Sequence, residues 1–319
     1  MATTVRQVAP GLVLIGLHQP KLPGFDDFIG AWVVTGPPAI LVDVGPAASA
    51  TALVESLAAL GIERLEAILL THIHIDHAGG AGALCRFFPD TPVVCHRAAH
   101  RHLVDPTRLW EGSLETLGDT AWAYGPIRAV PAERLVDAES FHDFGVEVLM
   151  TPGHAPHHVS FRIGDRLFAG EAGGVFLDRG GEPYLRPATP PRFFLETSLE
   201  SLDRLIAVDH AILCYGHFGA SRNGRRLLEA HRRQLLDWAR TVGDVAAGRA
   251  SEADPVEACL ARLLQTDPLL APFGQMPREV RRRERGFLRN SIRGFLGYLS
   301  HISNISHHVQ GLRMETGAD

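Results

Sequence analysis

The sequence predicts an α/β protein with a helical C-terminal extension. Three observations carry that reading. Short β-type runs alternate with helix-like segments through the first two-thirds of the chain, the β-branched runs stop near Asn223, and later segments space apolar residues by three and four. The two halves of the alternating part, each made of strands plus helix, fit a two-sheet sandwich.

Taken in order, Leu12–Ile15, Ala31–Val34 and Ile40–Asp43 are the opening strands, punctuated by Gly36-Pro37-Pro38. Residues 48–60 form a helix that stops at Gly61. The apolar run Ala67–Leu70 is a buried strand, followed by a His-rich segment and a helix from Gly80 to about Phe88. Strands follow near Val93 and at Val146–Leu149, Val159–Ile163 and Leu167–Ala169. A helix over 198–208 leads into a last apolar run, Ala211–Cys214. Residues 224–247, 255–265 and 278–300 are helix-like, and the polar tail beyond Ser300 is expected to fray.

The 319 residues are 45% apolar and 21% charged, ordinary for a soluble globular chain. A formal charge of -5 gives no reason to expect nucleic acid as a partner. No apolar stretch approaches the roughly 18 residues a membrane span needs. The absence of an apolar N-terminal run with a basic flank points away from export. Cys85, Cys95, Cys214 and Cys259 lie far apart with no CxxC pair, as expected of reduced thiols in a cytoplasmic protein. With 17 histidines in the chain, a His cluster alone is not a site.

The segment Thr71–Gly80, "THIHIDHAGG", is more specific. Residues two apart in an extended chain share a side, so His72 and His74 converge. The turn before the glycines brings Asp76 and His77 toward the same space. Imidazole and carboxylate are what Zn²⁺ and first-row divalent ions accept as ligands, and the competing reading is a polar strand end. One segment cannot close a metal site, so further ligands are expected at other strand ends. His154 in "TPGHAPHH", Glu171 in "LFAGEAGG" and His217 in "ILCYGHFG" are placed that way.

HxHxDH followed by His, an acid and His at strand ends resembles the metallo-β-lactamase-fold superfamily, over roughly residues 5–222. The resemblance implies a four-layer αββα sandwich, with residues 1–222 as the catalytic domain, 223–300 as a helical extension and 301–319 as a flexible tail. It also implies two divalent metal ions, expected to be zinc, with iron or manganese as alternatives. His72, His74 and His154 would hold one ion, and Asp76, His77 and His217 the other. Glu171 departs from the family's usual Asp: it either bridges the ions or binds one and weakens the second position. Asp76 would also orient the attacking water.

Around these ligands, His157 and His158 read either as substrate contacts or support for His154, or as surface residues. Tyr215 either packs or donates to an oxyanion. The Pro-rich stretch 182–194 either lines a substrate cleft, through Tyr184, Arg186 and Arg192, or crosses the surface as a loop. By analogy, His18–Phe28 is expected to be a mobile loop over the site. The Arg-rich run Arg278–Leu299 reads as an amphipathic helix packed on the main domain or across a homodimer interface, rather than as a nucleic-acid contact.

The implied activity is metal-dependent hydrolysis of a small ester, thioester or lactone. The Glu171–His217 interval of about 45 residues is too short for an inserted nucleic-acid-processing domain. The alternatives are a mononuclear-iron dioxygenase acting on persulfide-type substrates and a non-catalytic metal-binding protein.

Overall fold

Two sheets stack through the apolar rows of their strands. The computed structural model describes residues 3–177, 182–191, 193–248 and 254–315, with side chains to residue 302. The first sheet keeps sequence order: β1 (Thr3–Ala9), β2 (Leu12–Leu17), β3 (Gly30–Val34), β4 (Ile40–Val42), β5 (Ala67–Leu69), β6 (Val93–Cys95) and β7 (Leu135–Asp137). The pairs from β1 to β4 are antiparallel, and those from β4 to β7 are parallel. Parallel neighbours need a crossover, and helices supply it. These are α1 (Ala50–Ala59), then α2 (Ile75–Ala78) and α3 (Ala81–Leu84), then α4 (Arg97–Val104), α5 (Thr107–Leu117) and α6 (Asp119–Tyr124).

The second sheet begins with the antiparallel run β8 (Val146–Met150), β9 (Val159–Ile163) and β10 (Arg166–Gly170). The chain then makes a two-stranded ribbon, β11 (Val175–Leu177) with β12 (Tyr184–Arg186), and crosses over by α7 (Leu195–Ala207). It returns as β13 (Ile212–Tyr215), parallel to β10, and ends in the edge strand β14 (Ala220–Ser221).

Period-two alternation decides which side chains meet. Leu12, Leu14, Trp32, Val42 and Leu69 of the first sheet pack with Val159, Phe161, Phe168 and Cys214 of the second. Their neighbours Val13, Ile15, Val33, Leu41 and Ile68 turn outward, where Leu53 and Leu57 of α1 join the same cluster; Leu202 and Leu205 of α7 join it from the second sheet's outer face. The result is the αββα order that the sequence implied. Each such fully buried side chain contributes about 1.5–3 kcal/mol from leaving water.

Three long helices follow: α8 (Gly224–Ala247), α9 (Pro255–Thr266) and α10 (Arg278–Glu315). The Arg-rich run is amphipathic, with Leu288, Ile292 and Phe295 at helical spacing and fully buried. Phe295 lies 5.7 Å from the Trp238 ring of α8. No helix among the described residues is long and apolar enough to cross a membrane.

Some local expectations differ from the structure. The helix expected over Gly80–Phe88 is one short turn, α3, separated from α2 before it. The His77 carbonyl accepts from Val44 and Gly45 N–H at 2.8 and 3.1 Å, and Gly80 N–H donates to Gly45, so the backbone bonds leave the helix. Helices α4–α6, strand β1 and the ribbon β11–β12 were not read from sequence. Helix α10 continues past the expected end near residue 300 to Glu315, since no proline follows Pro277 and extending a formed helix costs little. The His18–Phe28 connection is packed rather than loose, with Phe25 against Phe28 at 5.4 Å and Phe28 fully buried.

Candidate metal centre

The ligand-type side chains meet where the strands of both sheets end. In the second sheet, β10 and β13 run parallel and finish side by side, each with a glycine before the functional residue. Gly216 N–H donates to the Gly170 carbonyl at 3.0 Å. A Cβ at Gly216 would stand 2.9 Å from the Gly170 carbonyl carbon, and Gly170 itself has φ +54° with His158 against its open face. Only glycine accepts both the conformation and the approach. Glu171 and His217 therefore emerge into one space.

The first sheet supplies the rest after β5. Three residues sit close in His72, His74 and His77, with ring centroids of His72 4.6 and 4.3 Å from those of His74 and His77. His154 enters from the loop after β8, its Nε2 2.9 Å from His74 Nδ1. Glu171 stands in the middle. Its Oε2 lies 2.9 Å from His154 Nε2, 3.4 Å from His72 Nε2 and 3.5 Å from His77 Nε2, and its Oε1 lies 3.3 Å from His217 Nε2. Two sets form, His72/His74/His154/Glu171 and Asp76/His77/His217, each with ligand atoms within 4.8 Å of one another.

The outer hydrogen bonds fix which nitrogen faces the centre. His77 Nδ1 donates to Asp43 Oδ2 at 3.0 Å, His154 Nδ1 to the Ala188 carbonyl at 2.9 Å, and His217 Nδ1 to the Phe28 carbonyl at 3.3 Å. Thr71 Oγ1 gives its proton to Asp43, so it receives one from His72 Nδ1 at 3.0 Å. In neutral rings each Nε2 then presents a lone pair toward Glu171. The Nε2 atoms of His72 and His77 are buried and without a hydrogen-bond partner. Converging lone pairs around a carboxylate lack a proton to share and fit divalent cations.

Without bound cations the rings divide in their protonation. Burial, then His77, pushes His72 well below the ordinary histidine value. Burial and His154 lower His74 to about 4. For His77 burial acts downward, but Asp76, Asp43 and Glu171 outweigh it and hold it well above the ordinary value. Burial opposes charge on Glu171, yet His154 and His217 carry it well below the carboxylate range.

Asp43 was not singled out from sequence. It closes β4, has φ +56°, is buried, and takes the Thr71 N–H at 2.8 Å as well as His77. A non-glycine residue held at positive φ beside a ligand cluster stores strain for position. The available signal was an acid ending the apolar run "ILVD".

Of the candidate substrate contacts, His157 and Arg186 line a cavity of about 590 Å³ that opens on His74, Asp76, His154, Glu171 and His217. His158 supports the centre from behind, accepting Glu171 N–H at 3.1 Å and bonding Thr151 at 2.9 Å. Tyr184 and Tyr215 are corrections: neither lines this cavity, and both are fully buried. Tyr215 stacks on Phe176 at 4.6 Å, and burial pushes its hydroxyl upward; an aromatic ring gains more from leaving water than its hydroxyl gains from the cleft. Arg192 lies outside the described residues. Behind His217, Phe28 stacks on its ring at 4.2 Å, and the Arg283 guanidinium of α10 covers Phe28 at 3.8 Å. The C-terminal helices thus reach the site, which composition alone did not signal.

Two stacked sheets flanked by helices, with histidines and carboxylates gathered at the strand ends, define a metal-binding hydrolase architecture. Residues 27–217 match the family described as the metallo-beta-lactamase superfamily, and the chain belongs to it. A metallo-beta-lactamase fold-containing protein of Sulfurisphaera tokodaii is 27% identical over 184 residues, covering 55% of this chain and 68% of that protein. An atrochrysone carboxyl ACP thioesterase of Aspergillus fumigatus is 27% identical, covering 80% of this chain and 75% of its own length. A hydroxyacylglutathione hydrolase of Xanthomonas campestris is 32% identical over 61% of this chain and 63% of itself. The fold matches a metallo-beta-lactamase family protein from Thermus thermophilus, with a TM-score of 0.60 at 24% identity over 93% of this chain and 95% of that one. The chain is a metallohydrolase-type enzyme.

Proposed function

We propose that the protein hydrolyses a small ester, thioester or lactone using two divalent metal ions, most simply zinc. The observation that carries this reading is Glu171, which lines the cavity with its carboxylate between the two histidine sets, Oε2 near His72, His154 and His77 and Oε1 near His217. One ion would be held by His72, His74 and His154, the other by Asp76, His77 and His217, with Glu171 shared between them. When bound, such ions supply Lewis acidity toward a water and toward the scissile carbonyl oxygen.

The chain's own residues do the rest. Asp76 faces the cavity and would orient the attacking water, take its proton and return it to the leaving oxygen or sulfur. Burial, then His74, lowers His157 to about 3, so at neutral pH it can donate a hydrogen bond from its neutral ring but not act as an acid. The relatives named as a thioesterase and a hydroxyacylglutathione hydrolase support acyl hydrolysis. The four free, buried cysteines support a reducing compartment such as the cytoplasm.

Elemental analysis of protein purified without added metal or chelator, followed by a thioester, ester and lactone screen, tests the proposal. About two zinc or manganese ions per chain with turnover is the expected result. A single iron per chain, with oxygen-dependent turnover of a persulfide, would replace hydrolysis with dioxygenation.

A further inference from the structure

The cavity above Glu171 has a basic end. One face of α5, carrying Arg108, Leu109, Gly112, Ser113, Thr116 and Leu117, lines it over about 14 Å at the helical rise per residue. Arg101 and His102 of α4 line it beside Arg108, and Ile73, Ile75 and Phe287 add apolar wall near the candidate ligands. Arg101 Nε donates to His102 Nε2 at 3.1 Å, and both arginines lower the His102 pKa after burial does. Three basic groups therefore converge on one rim.

No carboxylate among the described residues pairs with Arg101 or Arg108. The nearby acid, Asp105, is committed to Thr107, bonding its hydroxyl at 2.6 Å and its N–H at 3.2 Å. The carboxylates that line the same cavity are Asp76 and Glu171, both in the candidate ligand sets. Guanidinium groups that line the cavity without a salt-bridge partner are suited to a carboxylate or phosphate.

We propose that the substrate is an acyl compound bearing an anionic group besides its scissile bond, held by Arg101 and Arg108 while the carbonyl sits above Glu171. This rests on the hydrolase reading for the reaction but not for the binding of the anion. The apolar part of the substrate would lie against Ile73, Ile75, Leu109 and Phe287 of the cavity wall.

The test compares three thiophenyl thioesters: that of suberic acid with its distal carboxylate free, the same compound as the distal methyl ester, and its distal phosphonate isostere. The expected result is kcat/KM at least about 10-fold higher for an anionic thioester than for the methyl ester, as one charge-assisted contact allows. Preference between the carboxylate and the phosphonate identifies which anion the rim is built for. The double variant Arg101→Gln/Arg108→Gln should lose the preference through KM, and Arg101→Lys/Arg108→Lys should recover part of it. Calorimetry with suberic monoanilide, which is not turned over, should show binding weakened about 10-fold or more by the double Gln change. Equal turnover of all three thioesters, unaltered in ranking by the variants, would overturn the anion site and leave the hydrolase standing. Arg-dependent binding of the anilide with no turnover of any thioester would sink the hydrolase reading instead.

Discussion

Two buried charged clusters lie within the molecule, and they are built differently. In α10, Glu284 is fully buried between two arginines: it accepts from Arg186 Nε at 2.6 Å and from Arg283 Nε at 2.9 Å. Both of its oxygens are answered by fixed donors. In the Glu171 cluster the carboxylate also sits among basic side chains, but the imidazole nitrogens turn lone pairs inward, and those of His72 and His77 have no partner. The first cluster is closed and joins the C-terminal helices to the site, Arg186 on β12 and Arg283 over Phe28. The second is open by construction, which separates a site from a structural ion network of equal burial.

The sharpest way to break this contrast is His74→Ala. It should lower bound metal and turnover by more than about 100-fold, since even groups behind the ligands cost about 10–100-fold. Full metal content with full activity would remove His74 from the centre.

Glu284→Gln should act on stability rather than on the metal set. It leaves two guanidiniums facing a neutral amide, and losing one partner of such a network costs about 3–5 kcal/mol, read by denaturant unfolding. Burial opposes ionisation of Glu284, but Arg186 and Arg283 hold its pKa below the ordinary value. A depressed folded-state pKa contributes stability above the unfolded value and loses it as pH falls through the folded one. The gap between wild type and Glu284→Gln should therefore be full at neutral pH and shrink in acid. A gap that widens on acidification would contradict the network.

Asp43→Asn should weaken metal affinity by about 10–100-fold with the fold retained, because the carboxylate that fixes the His77 ring is lost. Metal titration against a competing chelator reads this directly, and an unchanged affinity would make Asp43 only a turn residue. The smallest effect is expected from Glu171→Asp, which should preserve or raise occupancy of the second metal if the carboxylate is shared. Loss of both ions would show that the longer side chain is required by the spacing of β10 and β13.

Legibility followed chemistry more than geometry. HxHxDH, His154, Glu171 and His217 were readable because each is a ligand-type residue beside a turn at a strand end. Asp43 was not, since an acid closing a strand is common and its value lies in reaching Thr71 and His77 across 28 and 34 residues. Helices α4–α6 were missed although α4 and α5 are amphipathic, and α5 packs without a fully buried residue. Their importance comes from what they face.

By itself the sequence determined the α/β class, the strand-then-ligand order and the long C-terminal helices, since periodicity and residue type are local properties. Only the tertiary structure decided that Tyr184 and Tyr215 belong to the packing, that α10 braces His217 through Phe28, and that Arg101 and Arg108 share a cavity with Glu171. Those outcomes depend on which distant surfaces meet when apolar area leaves water, and that contact is long-range.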